Sequence, residues 1–166
     1  KMPTGELRST RTPARPTGGR ENMVDAKLNR HYTMAMCPGP SAQDEDRFAA
    51  RVLADVIGDA EGSRLYWAVI DPAIAEDADF GFYPHDACGS FFLSITTDPQ
   101  KSSQALEVSL AELVRIRRDL NPSEVERARN KIAAQLTLAS ENPLGRLRVI
   151  GSEWAYNAKY RSLDED

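Results

Sequence analysis

The sequence predicts an α+β fold, a two-layer arrangement in which a mostly antiparallel sheet carries helices packed on one face. Three observations carry this expectation. Strand-like and helix-like segments do not alternate strictly, which argues against a doubly wound parallel sheet. The three successive helical patterns at the end follow several strand-like segments, so the chain is not an all-helical bundle either. Those helices also open on one repeated signal, a capping residue followed by proline, at Asp98-Pro99, Asn121-Pro122 and Asn142-Pro143. A mostly antiparallel sheet leaves its second face to solvent or a partner.

Taken in order, residues 1–28 read as a linker, with Pro3, Pro13 and Pro16, few large apolar side chains and too little to bury to offset the entropy of ordering. Residues 29–166 then read as one domain. His31 to Cys37 is strand-like and ends at the turn Pro38-Gly39-Pro40. Ser41 stands where a helix N-cap is expected, with Asp44, Glu45 and Asp46 in the first turn. Phe48, Val52, Leu53 and Val56 supply the apolar face, and Gly58 the C-cap. A short helical piece from Ser63 to Ile70 stops before Pro72. Ala73 to Tyr83 and Cys88 to Thr97 read as two strands joined around Pro84-His85-Asp86. The three final helices carry stripes of Leu106, Leu110 and Leu113, then Val125, Ala128, Ile132 and Leu136, then Leu147, Ile150 and Trp154. Asn121 and Glu124 have capping-box spacing.

With 166 residues, 41% of them hydrophobic and 28% charged, the composition is that of an ordinary globular domain. A net charge of −4 argues against nucleic acid as a partner, because phosphate binding needs clustered cations. No apolar run approaches the roughly 20 residues of a membrane span. The chain opens on Lys1 and reads as an excerpt of a longer polypeptide, so its compartment stays open between cytoplasmic and exported. Cys37 and Cys88 lie in strand-like segments without metal-ligand spacing and read as free thiols.

Catalytic machinery is not apparent. A zinc peptidase needs two histidines on one helical face with a glutamate base, as HExxH or HxxEH. The only histidines, His31 and His85, lie in a strand and a turn. No phosphate loop or nucleophile elbow occurs. Glu76, Asp77 and Asp79 cluster, but charge at a strand start is equally the mark of a guarded sheet edge.

The order of several motifs resembles the insulinase (pitrilysin) family of zinc metallopeptidases. Pro38-Gly39-Pro40-Ser41 is similar to its "PGPS" turn, and Ser63-Arg64-Leu65-Tyr66 to its "SRL-aromatic" segment. Gly89-Ser90-Phe91-Phe92 resembles its central strand, Glu124-Val125-Glu126-Arg127-Ala128-Arg129-Asn130 its "E-L-x-R-A-K-N" helix, and Tyr160-Arg161-Ser162-Leu163-Asp164 its "YRSLEE" segment. The resemblance covers roughly residues 29–166 and implies the second, non-zinc domain of a family half, a wall of the chamber in which peptides are cut. It implies a peptide or unfolded-protein substrate, a second family half in the same chain or another subunit, and zinc held elsewhere in the parent protein. Active members carry an arginine and a tyrosine after the "SRL" segment that steady the substrate. Those places fall on Ala73 and Asp77 here, so no catalytic residue is carried over. Phe82, Tyr83 and Phe91 are the candidate substrate contacts, with core packing as the competing role. A catalytically inactive relative serving as a structural or partner subunit is the alternative, and a stand-alone binding module a third.

Overall fold

The computed structural model describes residues 16–59, 62–160 and 162. Residues 16–28 form neither strand nor helix and are exposed. Three strands follow in chain order: β1 (His31–Gly39), β2 (Asp77–His85) and β3 (Cys88–Thr97). Among the described residues they form one antiparallel sheet in the order β1-β3-β2, with β3 central. Register places Ala35 opposite Leu93, and Leu93 opposite Phe80. Period-two alternation then sends Phe80, Phe82, Phe91, Leu93 and Ile95 to one face. Tyr32, Met34 and Met36 point to the other and are exposed.

The inner face is covered by α1 (Arg47–Gly58), a π-helical turn (Tyr66–Ile70) and α2 (Ser102–Asp119). Ala50, Ala54 and Ile57 of α1, Leu65, Val69, and Ala105 and Ile116 of α2 join the strand residues in one core. Next come α3 (Pro122–Glu141) and α4 (Pro143–Asn157). The expected layering of helices on one face of an antiparallel sheet is what the fold shows.

The capping signals are realised in geometry. Asp98 accepts from the Gln100 amide at 2.8 Å and Asn142 from the Leu144 amide at 2.9 Å. Asn121 accepts from Ser123 N–H at 3.0 Å while the Glu124 carboxylate accepts from Asn121 N–H at 3.0 Å, completing the capping box.

The start of α1 differs from expectation. It begins at Arg47, and neither Ser41 nor the Asp44–Asp46 cluster caps it through a side-chain oxygen. Ala42 N–H donates to His85 C=O at 2.9 Å, and Gln43 bonds both the Ala87 amide and Asp86. Ala42 and Gln43 are spent bracing the β2–β3 turn, which competes with helix for the same backbone. Gly58 is the last helical residue rather than the cap, and bridges Phe80 on β2. β2 likewise starts at Asp77 rather than Ala73, because Ile74 and Ala75 donate back to Val69 C=O and close a turn.

The helical stripes hold in part: Leu106 and Leu113 of α2 pack against the core, and Val125, Ile132 and Leu136 of α3 are half-buried. Small residues face the sheet on α2, where Ala105 and Ser109 are fully buried and Leu110 is exposed. Ala128 is the buried residue of α3, and Leu147 and Trp154 of α4 are exposed.

Ala73 sits in the turn before β2 at φ 55°, a left-handed conformation costing an L-residue roughly 1–2 kcal/mol. It is exposed, so nothing else fixes its identity. Ala73→Gly is therefore expected to raise stability by about 0.5–1 kcal/mol, the strain relieved less the extra unfolded-chain entropy of glycine, as read by urea denaturation.

Candidate functional site

The "SRL" segment is where sequence and structure meet most densely. Ser63 Oγ accepts from the Tyr66 amide at 3.2 Å and starts the π-helical turn. Leu65 is fully buried in the core. Arg64, its side chain 8% exposed, reaches the corner between α2 and α3. Its Nε and Nη2 donate to the two Glu124 carboxylate oxygens at 2.9 and 2.7 Å. Its Nη1 donates to Asp119 Oδ1 at 2.6 Å and Nη2 to the Asp119 carbonyl at 2.9 Å. Arg115 holds the other Asp119 oxygen at 2.7 Å. Hydrogen bonds from Arg64 hold the pKa of both Glu124 and Asp119 below the ordinary carboxylate range, and those carboxylates push the guanidinium further above its own. All charges in this network are mutually satisfied, so it locks an arrangement and offers no reactive group.

The turn following this segment is equally inert. Ala73 offers only a carbonyl, taken by Lys101 Nζ at 2.8 Å, and Asp77 is an exposed residue at the start of β2. Glu76 is held by Arg30 at 2.8 Å, which removes it as an unengaged base. The two histidines lie at opposite ends of the sheet, His31 beside Thr97 and His85 at the β2–β3 turn. A nine-residue strand separates those ends by roughly 25 Å. Among the described residues no group of three or more His, Cys, Asp or Glu side chains could hold a metal ion. The residues present therefore do not fit a zinc centre, and no step through zinc is assigned to this domain.

The three aromatic candidates divide between the faces. Phe82 is buried, and Phe91 lies between Phe80 and Phe82 with ring centroids 5.5 and 5.2 Å apart. This stack belongs to the core. Tyr83 points to the other face, 51% exposed, and meets Phe92 edge-on at 6.3 Å. It shares that face with Tyr32, Met34 and Met36, residues the sequence reading did not single out. The signal was present in the alternation of HYTMAMC, where apolar residues fall on both parities. Cys37 and Cys88 are free thiols, Cys37 exposed.

An antiparallel sheet with one helix-covered face, a satisfied Arg64 hub and, among the described residues, no metal-ligand cluster describes an α+β domain. The match to known families makes this particular: the chain belongs to the peptidase M16 family, matching the M16 inactive domain over residues 3–132. Among solved structures it is similar to the inactive peptidase domain of a zinc-protease candidate from Bordetella parapertussis, at 20% identity and a TM-score of 0.68, covering 77% of this chain and 71% of that one. A chain of complex III2 from Candida albicans, with Inz-5 bound, gives 18% identity and a TM-score of 0.75 over 85% of this chain and 36% of that one. A Helicobacter pylori protease gives 13% and 0.71 over 81% and 33%. This chain thus spans about a third of the latter two. At these identities the likeness shows the fold. No match is found among curated proteins. Among the described residues no helix is long and apolar enough to cross a membrane.

Proposed function

We propose that this chain is the wall domain of a zinc metalloendopeptidase, enclosing peptide or unfolded-protein substrates while zinc and its ligands lie in another domain or subunit. The observation that supports this best is the uncovered sheet face. Tyr32, Met34, Met36 and Tyr83 expose 57%, 68%, 69% and 51% of their surface on the side away from the helices. Flexible thioethers suit contact with varied sequences, since they repack at little cost. The domain supplies enclosure and orientation, and no bond-making group.

The replacement of the arginine and tyrosine by Ala73 and Asp77 supports a second reading, in which the parent is an inactive member acting as a structural subunit. One experiment separates the two. The parent protein, with any partner subunit, is assayed on an unstructured peptide with and without chelator. Chelator-sensitive cleavage, together with a roughly tenfold rise in KM for Met34→Asp/Met36→Asp, about 1.4 kcal/mol of lost binding, is expected. Cleavage that the double variant leaves unchanged refutes the substrate-facing wall. Complete absence of cleavage sinks the peptidase reading and leaves the structural subunit.

A further inference from the structure

Four carboxylates converge where α1 ends against the free edge of β2. The antiparallel bridge between Gly58 and Phe80 sets Asp59 beside Asp79. Asp55 lies one turn back along α1, its backbone carbonyl accepting from the Asp59 amide at 3.4 Å. Asp77 is two residues from Asp79 on the same face of β2. The facing cations are fewer. Arg51 of α1 approaches Asp55 Oδ1 at 3.3 Å, and Lys131 of α3 pairs with Asp59. Asp55 is 9% exposed at its side chain, and its Oδ2 is buried without a hydrogen-bond partner. A buried carboxylate oxygen left in this way favours a proton over a charge.

We propose that this corner is an acid-tightened latch, sealing the edge of β2 with the end of α1 at low pH and loosening as pH rises. Burial first, then the charges of Asp77, Asp59 and Asp55, push the Asp79 carboxyl above its ordinary range. Burial and Asp59 raise Asp55 as well, against Arg51 and Lys131. A carboxyl that binds its proton more tightly folded than unfolded contributes its stabilisation fully below the ordinary carboxylate range. That contribution is lost as pH climbs through the raised value. The repulsion acts at the last turn of a helix, the part that opens at least cost. The asymmetry of the sheet gives the latch its consequence: releasing α1 there exposes the backbone of β2 around Phe80, while the β2–β3 ladder stays paired.

Hydrogen exchange of the full chain from about pH 4, in the ordinary carboxylate range, to pH 8, corrected for intrinsic rates, tests this. Protection at residues 56–59 and 79–81 is expected to fall at least tenfold relative to the centre of β3 as pH rises. Asp79→Asn is expected to keep its protection at pH 8 and to raise Tm there by roughly 2–4 °C, with no gain near pH 4. Asp55→Asn reports the same pattern should the first variant fail to fold. Protection that changes uniformly across the sheet, or variants that follow the parent at every pH, would overturn the latch.

Discussion

Gly58→Ala is expected to cost about 3 kcal/mol and to lower Tm by roughly 5–10 °C. The reason is the approach of the helix end to the sheet. A Cβ at position 58 would fall on the backbone nitrogen and the Cβ of Phe80, neither of which can swing aside like a flexible side-chain end. Relief requires the end of α1 to lift from β2, which breaks the Gly58–Phe80 bridge and uncovers Ile57, 2% exposed in the core. Helix propensity works the other way, since alanine is favoured over glycine by about 1 kcal/mol, but the clash outweighs it. Gly151 in α4 provides the control. Nothing lies within 4 Å of a Cβ there, so Gly151→Ala is expected to be neutral or slightly stabilising. Urea and thermal denaturation of both variants check the pair. Equal behaviour at the two positions would mean that α1 does not seat on β2 as described.

What the sequence made legible follows from how local each signal is. The three capping signals lie within a few residues of the amides they satisfy, so Asp98, Asn121 and Asn142 announce their helices without tertiary context. The opening of α1 was misplaced for the opposite reason. Ser41 and its acidic neighbours look like a helix start, and only the hairpin more than forty residues away, whose His85 and Ala87 backbone groups bond residues 42 and 43, diverts them. Large apolar residues on α2 suggested its core face. Leu106 and Leu113 do pack against the core, while Leu110 is exposed and the most deeply buried positions go to Ala105 and Ser109, whose short side chains allow close approach. Gly58 read as a cap in the sequence, and only its neighbour on β2 makes it a point of close contact instead. At the candidate site, the lack of an HExxH or HxxEH pattern was readable from the sequence, with two histidines in the whole chain. For the stripe of Tyr32, Met34 and Met36 the apolar residues on both parities of HYTMAMC were readable, but not their exposure, because an apolar strand reads alike whether one face or both are covered.

Arg64→Met is expected to cost about 2 kcal/mol at neutral pH, and its dependence on pH separates charge from packing. The side chain is nearly buried, but its partners Glu124 and Asp119 keep 20% and 41% of their surface, so water recovers part of what the guanidinium gave. That places the loss below the 3–5 kcal/mol typical of breaking a fully buried pair. The fork to Glu124 matters most. The same carboxylate closes the capping box on Asn121, so Arg64 fixes both the corner from α2 into α3 and the first turn of α3. Lysine keeps the charge but not the fork, so Arg64→Lys is expected to fall between the parent and the methionine variant. Hydrogen bonds from Arg64 hold the Glu124 and Asp119 carboxyls below their ordinary range. Their stabilising contribution is therefore present above that range and lost as pH falls through the lowered folded values. Thermal unfolding from pH 7 downward is expected to show the parent and Arg64→Met curves converging in strong acid. A gap of constant size across that range would assign the loss to the missing guanidinium's packing, and the "SRL" arginine would then be a filler of space rather than a clamp of charge.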